Sequence, residues 1–498
     1  MRRIVNHKDL NGHGNVEGRR ILTDIMETGL KAADPYNNTT ILFQRAGNKL
    51  ILDDSRFEIP GDPNAGRSEY DLDEIERVYI FGIGKGIARV TKALEDIIGD
   101  RITDGYVLGK HGDELIMKTI PMSNGGHPVP DAAGMEGCRR IVEIIEGANF
   151  TKNDLVITAV GNGIGSLCTY PVECIPIDDV TEMTRLMQIE YGAPTGDLNY
   201  VRNSIDRVKG GRLARMIHPA KMVHLFGVPP IGEYANYSDY DGLMEKNVWL
   251  HTIADGTTIE RAIEVIHKWD VEEKCPRSVI DYLKKEAAEN PTVRYDEYRT
   301  YDTRCFGVMP IELSARVCAM NRAEELGYKS YYLIKWLQTE AAAAGLMAAQ
   351  IACSADEGIN IFKPPCAIFT TGELLVTAGD NPGVGGRNQE YCAAAAGALA
   401  GNKRIVMAGV DTDGTDGPGG EFHPDATSRG ITVLAGGIVD GYTEDEAKRM
   451  NIDLHKALQT HSTSAALWEL GSGIAATHNI SIGDLNCALI MDHDRTAD

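Results

Sequence analysis

The sequence predicts an α/β protein built around a parallel sheet. Three observations carry this prediction: short apolar runs end in a glycine or an acidic loop, helical spacing follows most of them, and the alternation repeats along the chain. The first such run is "RVYIFGIG" at residues 77–84, followed by the helical pattern of "KGIARVTKALEDIIG". Buried strands that alternate with helices are typical of parallel α/β sheets.

Further runs of the same kind place the remaining strands. They are "DGYVLGKHG" (104–112), "DLVITAVGNGIGS" (154–166), "KMVHLFGVPP" (221–230), "CAIFTTGE" (366–373) and "RIVMAGVDTDG" (404–414). Strand patterns thin out between residues 231 and 300, where "EYANYSDYDG" reads as a loop and "IERAIEVIHKW" and "RSVIDYLKKEAAE" read as helices. A second α/β section begins near "TRCFGVMP", so we expect one domain over residues 1–300 and another over 301–498.

Composition narrows the class of partner. The chain has 498 residues, 43% hydrophobic and 24% charged, which is ordinary for a globular protein with two or three domains. Its net charge of -22 argues against general binding to nucleic acid or an anionic membrane, because such partners are usually met by a basic surface. A local basic pocket for a small anion remains compatible with this charge.

Cysteine usage and hydropathy indicate the compartment. The ten cysteines form no CxxC pair and no Cys/His cluster at zinc spacing, which fits reduced thiols in a cytoplasm. The start, "MRRIVNHKDLNGHG", turns polar before a signal-peptide core could form, and the longest apolar run, about residues 341–353, is too short to span a bilayer. The sequence therefore predicts a soluble cytoplasmic protein.

The first candidate site is "GIGKGI", from Gly82 to Ile87. Gly84 lies where strand meets helix, so exposed N–H groups and the helix dipole could hold an anion, and Lys85 adds a positive charge. The loop is not a dinucleotide fingerprint, because the third glycine would fall at Ile87, and it lacks the Walker A pattern. The alternative is a tight turn with a solvated lysine.

Two later segments could bind oxyanions. In "GNGIGS", Gly163, Gly165 and Ser166 could surround phosphate or carboxylate oxygens, although such a loop is often only a turn. In "NYVRNSIDRVKGGRLA" (199–214), Asn199 and Arg202 fall about one helical turn apart, with Lys209 near a Gly-Gly break; these groups suit a carboxylate. The alternative for the second segment is a basic, solvated helix end.

Two acidic candidates and one histidine follow. The loop "VDTDGTDGPGGEFHPDA" (410–426) carries Asp411, Asp413 and Asp416, which suit Mg²⁺ with a nucleotide; it is no EF-hand, since its twelfth position is not Glu. An Asp-Gly turn is the alternative. Glu373 stands alone at a strand end, and His127, in the loop "GGHPVPD", is either a proton-transfer group or a hydrogen-bonding strut.

The stretch "GVGGRNQE" completes the candidates. It supplies Gly385 and Gly386 for backbone approach to an anion, Arg387 for charge, and then Asn388, Gln389 and Glu390 at a helix start. Open α/β sheets bind ligands at their strand ends, so these charged loops could converge on one site. Charge-clamping groups without an obvious nucleophile favour phosphoryl transfer, where positioning and electrostatics do most of the catalysis.

Taken in order, these segments resemble the class II glycerate kinases, a family with a C-terminal MOFRL domain. The motifs are "GIGKGI", "GGHPVPDAAG", "GIGS", "LNYVRNSIDRVKGGRLA", "IADGTT", "TTGELLVT", "GVGGRNQE" and "DTDGTDGP", and the resemblance covers about residues 20–490. It implies a Rossmann-like N-terminal domain, a smaller α/β MOFRL-type C-terminal domain and an active site in the cleft between them. It also implies ATP- and Mg²⁺-dependent phosphorylation of the 2-hydroxyl of D-glycerate to 2-phosphoglycerate, with Lys85 and Arg387 matching the family's essential lysine and arginine.

The sequence departs from the family pattern at three places. The usual SGGGSALL loop is "NGIGSLCT", with Asn162 for a serine and Ile164 for a glycine, so we expect this loop to fold or contact its ligand differently, since a branched side chain does not readily take positive φ. The SDVxGD segment is replaced by "GVPPIGEYANYSDYDG", and TGPTGTNVNDL is only loosely similar to "AATHNISIGDL".

Several alternatives follow from these departures. Within the kinase class, the acceptor could be a larger sugar acid. In other classes, the chain could be an NAD(P)H-dependent hydroxypyruvate reductase or a non-catalytic sugar-acid-binding protein. The general base is either His127 or a loop aspartate. We expect a small hydroxycarboxylate as the binding partner, with no nucleic acid or membrane; the oligomeric state, including a homo-oligomer, stays open.

Overall fold

The computed structural model describes residues 2–227, 239–285, 287–378, 383–478 and 483–492. Two compact units make up the chain. Pro35–Pro310 forms the unit called here the parallel-sheet domain, and Met1–Asp34 together with Ile311–Asp498 forms the mixed-sheet domain. Most of the "GVPPIGEYANYSDYDG" replacement, and the middle of "AATHNISIGDL", lie outside the described residues.

The strands are β1 (Phe43–Ala46), β2 (Lys49–Leu52), β3 (Ser68–Asp71), β4 (Val78–Ile83), β5 (Ile102–Lys110), β6 (Met122–Gly125), β7 (Leu155–Val160), β8 (Lys221–Phe226), β9 (Thr303–Gly307), β10 (Lys329–Leu337), β11 (Cys366–Gly372), β12 (Ile405–Asp411), β13 (Gly436–Asp440), β14 (Gly473–Ile474) and β15 (Asp484–Ile490).

The α-helices are α1 (His7–Leu10), α2 (Val16–Ala32), α3 (Pro35–Leu42), α4 (Ile87–Ile98), α5 (Ala132–Ala148), α6 (Ile164–Leu167), α7 (Ile177–Thr184), α8 (Thr195–Ser204), α9 (Arg212–Ile217), α10 (Tyr240–Lys246), α11 (Ile259–Lys268), α12 (Arg277–Lys285), α13 (Tyr295–Tyr298), α14 (Ala315–Glu325), α15 (Ala341–Asp356), α16 (Arg387–Leu399), α17 (Pro424–Ser428), α18 (Thr443–Arg449), α19 (Leu454–Gln459) and α20 (Thr463–Glu469). Short 3₁₀ segments lie at Ser55–Phe57, Gly99–Arg101, Ala287–Glu289 and Ile311–Leu313, and a π-helical turn at Arg185–Glu190. No helix within the described ranges combines the length and the apolar character needed to cross a bilayer.

The main sheet of the parallel-sheet domain has six strands in the order β6-β5-β4-β7-β8-β9, and all of its neighbours are parallel. This is the strand order of the doubly wound dinucleotide-binding fold, so the predicted Rossmann-like sheet is confirmed. The order reverses between β4 and β7, and ligands of open α/β sheets bind at such a switch point, outside the carboxyl ends of the strands. The two predicted glycine loops follow those two strands.

Burial explains why β4 and β7 form the centre of this sheet. Every residue of both strands is buried, as expected where helices cover both faces of a parallel sheet. Phe81 and Ile83 of β4 pack in one hydrophobic cluster with Val156 of β7 and Ile141 of α5. This packing fixes the positions from which the two glycine loops leave the sheet.

Strand β9 corrects one sequence assignment. The segment "TRCFGVMP" was expected to open the second α/β section, but Thr303–Gly307 pairs in parallel with β8 and forms the edge of the first sheet. All five residues of β9 are buried. The boundary after the parallel-sheet domain therefore lies at Pro310.

The N-terminal segment also differs from the expected 1–300 domain, since Met1–Asp34 belongs to the mixed-sheet domain. The guanidinium of Arg19 on α2 is fully buried there, with Nε 2.5 Å from Oδ2 of Asp440, and it also donates to the hydroxyls of Thr443 and Ser472. These bonds join positions more than 400 residues apart, which local sequence patterns do not reveal.

The mixed-sheet domain contains a second six-stranded sheet, in the order β10-β11-β15-β12-β13-β14. Only β10 and β11 are parallel; the other neighbours are antiparallel. The predicted strands β11 and β12 exist, but β15 lies between them and runs antiparallel to both. The predicted α/β character of the C-terminal domain is confirmed, while its sheet is mixed rather than parallel.

Candidate active site

The two glycine loops of the parallel-sheet domain touch each other at the switch point. Gly84 has a φ of 138°, and a Cβ placed on it would lie 2.7 Å from the Cα of Gly161. The N–H of Lys85 donates to the carbonyl of Asn162 at 2.8 Å. Because no side chain separates the two backbones, Lys85 is placed directly beside the second loop.

Ile164 does not have to adopt the positive φ that a branched side chain disfavours. Gly163, with a φ of 75°, takes the left-handed position. Ile164 is the first residue of α6, and its φ is not positive. Its side chain is buried in the hydrophobic core of the domain. The branched residue is therefore accommodated by packing, and the glycine beside it provides the turn.

A loop carrying His127 packs against Gly163. A Cβ on Gly163 would lie 2.6 Å from Cδ2 of His127 and 3.3 Å from Cγ of Lys85. The hydroxyl of Ser166 donates to the carbonyl of Gly126 at 3.0 Å, which ties the histidine loop to the glycine loop. The structure thus brings Lys85 and His127 close to the same glycine.

Asn199 and Arg202 of α8 lie against the other end of this loop. A Cβ on Gly165 would lie 2.9 Å from Oδ1 of Asn199 and 3.5 Å from a guanidinium nitrogen of Arg202. Both side chains are almost fully buried. The structure therefore gathers six of the predicted residues around one pair of loops: Gly84, Lys85, Gly163, Gly165, Asn199 and Arg202. The hydroxyl of Ser166 stabilises this arrangement through its bond to Gly126.

Arg202 is a buried cation without a counter-charge. Its guanidinium makes long contacts, 3.4 Å to the carbonyl of Pro128, 3.4 Å to the hydroxyl of Thr184 and 3.5 Å to Oε1 of Gln188, and no carboxylate pairs with it in the described part of the chain. Burial lowers the pKa of Arg202 to about 9. Both amide atoms of Asn199 are likewise buried without a hydrogen-bond partner. Buried polar groups are normally satisfied, so these two side chains are suited to bind an oxyanion.

The electrostatics around His127 support a positive site. Burial, followed by the charges of Lys85, Lys110 and Arg202, lowers the pKa of His127 to about 4. Sequence reasoning missed Lys110, although its place at the end of the predicted strand "DGYVLGKHG" was a usable signal. Three cations gathered at one imidazole would be mutually repulsive in an empty pocket and favourable around an anion.

The ammonium group of Lys209 binds protein groups next to the site and does not face a ligand. Its ammonium group is buried and donates to the carbonyl of Cys168 and to the hydroxyl of Thr169, the latter at 2.8 Å. It also forms an ion pair of 3.3 Å with Asp206. The structure therefore does not place Lys209 where it could contact a ligand, and its role is to hold the chain that follows the glycine loop.

In the mixed-sheet domain, Arg387 is the first residue of α16 and is held by two aspartates. Its Nε lies 2.8 Å from Oδ1 of Asp484 and its Nη2 lies 2.5 Å from Oδ2 of Asp411. About 20% of the Arg387 side chain remains exposed. The guanidinium is therefore fixed in direction while part of it can still meet an anion.

Asp484, at the start of β15, is a residue that sequence reasoning missed. Besides Arg387, it accepts the side-chain N–H of Asn388 at 2.7 Å and the backbone N–H of Leu374 at 2.7 Å. It thus connects α16 with the "TTGELLVT" loop. The signal available was its place in "AATHNISIGDL", the segment only loosely similar to the family pattern.

Asp416 caps α16 from a distant loop. It accepts the backbone N–H groups of Asn388 and Gln389 at 3.0 and 2.9 Å, which satisfies two donors of the first helical turn. Burial raises its pKa to about 6. A Cβ on Gly386 would lie 2.1 Å from the carbonyl oxygen of Asp416, so this glycine admits the neighbouring chain. A side chain is excluded at Gly385 for a similar reason, since a Cβ there would lie 2.5 Å from Oγ1 of Thr463.

The three loop aspartates do not form one set of metal ligands. Asp416 is engaged by α16, and Asp413 accepts from both the N–H and the hydroxyl of Thr415 at 2.7 Å. Among the described residues, no three His, Cys, Asp or Glu side chains are arranged to hold a metal ion. Burial and the charge of Asp413 raise the pKa of Asp411 to about 8. Asp411 and Asp413 alone could share a cation that arrives with a phosphate ligand, as Mg²⁺ commonly does.

The remaining predicted residues have other surroundings. Glu390 is buried and pairs with His461, whose Nδ1 lies 2.7 Å from Oε1. Gln389 accepts the hydroxyl of Ser464 at 2.6 Å. Glu373 is exposed at the end of β11. Glu390 therefore anchors α16 to the turn before α20, Gln389 anchors it to the first turn of α20, and Glu373 faces solvent.

The contact between Gly163 and His127 gives a first prediction. Gly163→Ala should lose stability and most activity, because the added methyl combines an unfavourable φ with a 2.6 Å approach to the imidazole. Gly99→Ala is the matched control, since Gly99 has a φ of 62° and open space around its Cβ position. Thermal melting and kcat/KM of both variants separate the two effects. Equal behaviour of the two variants would show that the His127 contact is unimportant.

The fold and these two cationic sites define a class of protein. A doubly wound domain that gathers buried cationic and amide side chains at its switch point, and a second domain that presents a fixed arginine, each offer the positive charge that phosphoryl transfer requires. These features place the protein in the class of small-molecule kinases.

Residues 21–227 match the domain of unknown function DUF4147, and residues 366–480 match the MOFRL family. The chain is 30% identical over 461 residues to the glycerate 2-kinase of Pyrococcus horikoshii, covering 91% of this chain and 94% of that protein. The crystal structure of a glycerate kinase from Thermotoga maritima aligns with a TM-score of 0.69 at 25% identity, covering 94% of this chain and 98% of that one. A relative in Agrobacterium vitis with the provisional name hydroxypyruvate reductase is 30% identical over 362 residues, 71% of this chain and 88% of that protein. The chain belongs to the glycerate 2-kinase family with DUF4147 and MOFRL domains.

Proposed function

We propose that this protein transfers the γ-phosphoryl group of ATP to the 2-hydroxyl of D-glycerate and produces 2-phosphoglycerate. The observation that carries the proposal is the buried, unpaired pair of Asn199 and Arg202 beside Lys85 at the switch point. The glycerate 2-kinase of Pyrococcus horikoshii, with its 30% identity over most of both chains, supports glycerate as the acceptor.

The carboxylate of the acid would bind to Arg202 and Asn199. A guanidinium engages a carboxylate through two parallel N–H donors, and the Asn199 amide adds a further donor. Both groups already occupy a desolvated position, so a carboxylate bound to them gains strong charge-assisted hydrogen bonds. The absence of bulk at Gly165 lets the acid lie close to the loop backbone.

Lys85 and Arg387 would neutralise the phosphoryl group as it moves. Little covalent chemistry is required of the protein in such a transfer, and catalysis comes from positioning and from preorganised positive charge. Arg387 is preorganised by Asp411 and Asp484. Mg²⁺, when bound with ATP, would neutralise phosphate charge, and Asp411 and Asp413 are the carboxylates we propose to contact it.

A substrate panel tests the proposal. Formation of ADP from ATP and Mg²⁺ should be fastest with D-glycerate and slower with L-glycerate, glycolate and gluconate. In the ³¹P NMR spectrum, the product should give a doublet from one carbinol proton, as 2-phosphoglycerate does, whereas phosphorylation of the terminal hydroxyl would give a triplet. No turnover of any acid, or a triplet, would overturn the proposal.

Two further arms of the same experiment address the alternatives. Faster turnover of gluconate than of D-glycerate would assign a larger sugar acid as the acceptor. Oxidation of NADH that depends on hydroxypyruvate would assign the reductase activity. That activity is disfavoured by Ile87, which is fully buried at the third position of the would-be fingerprint, where close packing of helix on strand calls for glycine.

A further inference from the structure

The next inference rests on the proposed function and adds the group that removes the proton from the acceptor. We propose that the imidazole of His127 is the general base, accepting the proton of the 2-hydroxyl as that oxygen attacks the γ-phosphorus.

The position of the ring is the first argument. A Cβ on Gly163 would lie 3.0 Å from Nε2 of His127, so this nitrogen is directed at the glycine loop beside Lys85. No residue within the described ranges forms a hydrogen bond with the ring. A histidine acting as a structural strut would use at least one ring nitrogen, as His111 does with Asp131 at 2.6 Å. The unengaged ring of His127 is available to a ligand.

The loop that carries His127 is held on several sides. The carbonyl of Pro130 accepts the hydroxyl of Thr181 at 2.8 Å, and the N–H of Gly126 donates to Asp131 at 3.0 Å. The carbonyl of Gly126 accepts the hydroxyl of Ser166. A base must be positioned within hydrogen-bond reach of its proton, and these contacts hold the imidazole in place before the substrate binds.

The rival bases that the sequence suggested are already engaged. Asp411 is bound by Arg387, Asp416 accepts two backbone N–H groups of α16, and Asp413 accepts from Thr415. To accept the proton of a substrate hydroxyl, each of these carboxylates would have to give up contacts that it already makes with the protein. Of these candidate bases, His127 is the one that forms no side-chain hydrogen bond with the described residues.

The charges around the ring keep it unprotonated and make it responsive to the substrate. Lys85 faces it from the loop after β4, Lys110 from the end of β5 and Arg202 from α8; Asp131, the acid of its own loop, is bonded to backbone N–H groups and to His111. With burial, the cations lower the pKa of His127 to about 4, so the ring is neutral at pH 7. Carboxylate and phosphate groups bound to those cations would cancel part of their field and raise this pKa, which makes His127 a stronger base in the loaded site.

The 2-hydroxyl oxygen forms a bond to the γ-phosphorus while the bond from that phosphorus to the bridging oxygen of ADP breaks, and ADP leaves. The hydroxyl proton moves to Nε2 of His127. The resulting imidazolium then releases its proton to solvent, which restores the neutral ring for the next cycle.

A conservative variant tests the assignment. His127→Asn should lower kcat for D-glycerate by about 10²-fold or more, within the range typical of general bases, while KM for D-glycerate and ATP changes by less than about threefold. The acidic limb of the kcat profile should disappear, and added imidazole should restore part of the rate. His267→Gln is the matched control, since His267 is exposed on α11 and pairs with Glu272; it should keep the wild-type kcat and pH profile.

A measurement on the wild-type protein complements the variant. The Cε1–H signal of His127, assigned by triple-resonance NMR, should titrate well below an ordinary histidine and move to higher pH when D-glycerate is added. A folded His127→Asn variant with the wild-type kcat, or a His127 pKa that D-glycerate leaves unchanged, would overturn this inference while turnover by the wild-type protein still supports the kinase. Absence of wild-type turnover with every acid would instead remove the proposed function.

Discussion

Replacing Arg387 by alanine should lower kcat for phosphoryl transfer by about 10³-fold or more, the effect seen where an arginine stabilises the transferring phosphoryl group. Arg387 is the one predicted cation of the mixed-sheet domain that is both fixed in direction and partly exposed. Its loss removes charge that is already oriented before the substrate arrives, which lost binding affinity alone would not reproduce. Steady-state kinetics with saturating ATP and D-glycerate measure the effect.

The same substitution should affect stability in a defined direction. Without Arg387, Asp411 and Asp484 keep their buried positions and lose their cation, a change that costs about 3–5 kcal/mol in comparable buried pairs. Their pKa values should rise, so the folded state would bind more protons and the stability deficit should shrink as the pH falls. Chemical denaturation at several pH values measures this trend.

Arg404→Ala provides the matched control in the same domain. Arg404 forms an ion pair of 2.6 Å with the buried Asp356, away from the candidate site, so its removal should lower stability and leave kcat unchanged. If a folded Arg387→Ala protein kept the wild-type kcat, Arg387 would have no part in the mechanism.

Replacing Arg202 by methionine should change activity and stability in opposite directions. We expect kcat/KM for D-glycerate to fall by about 10²-fold or more, because a buried charge-assisted contact to the carboxylate is lost. The free energy of unfolding should rise by about 1 kcal/mol or more, since an apolar side chain of similar length replaces a buried charge that has no counter-ion among the described residues. Activity and stability are expected to change in opposite directions where a buried charge destabilises the protein but binds the ligand.

Arg212→Met separates this effect from a general effect of buried arginine. Arg212 is almost as buried as Arg202, but it donates to the carbonyls of Asn203 and Lys209 at 2.8 Å and to the side chain of Asn290 at 2.9 Å. Its replacement should therefore lower the unfolding free energy. Calorimetric melting of both variants with and without D-glycerate measures the contrast. A destabilised Arg202→Met protein would show that Arg202 is a structural residue.

The fold could be predicted to the extent that it depends on local patterns. Hydrophobic runs and the glycines that end them were sufficient to place β4, β7 and their two loops. Strand neighbours were harder. Residues 303–307 read as the start of a new domain, yet β9 completes the first sheet by pairing with β8. The strand pattern indicates that a strand is buried but does not say which strand lies beside it.

The sequence predicted the cationic and amide side chains of the candidate site but not the residues that hold them in position. Lys85, Asn199, Arg202 and Arg387 stood out because cations and amides near glycine-bordered strand ends are typical of oxyanion sites. Asp484 did not stand out, since a single aspartate at a strand start carries no local signal. Its importance follows from the three groups that it binds, which come from α16 and from the loop after β11.

The sequence by itself determined the α/β class, the glycine loops at the strand ends and the family membership, because these depend on periodicity and motif order within short segments. Only the tertiary structure decided why "GVGGRNQE" needs its glycines, since Gly385 lies against Thr463 at the start of α20 and Gly386 lies against Asp416 of a distant loop. It also decided that Arg202 is buried without a carboxylate partner in the part of the chain that the structure describes, while Arg387 is paired with two aspartates. The physical reason is that burial and charge pairing depend on neighbours in space, which the order of residues along the chain does not contain.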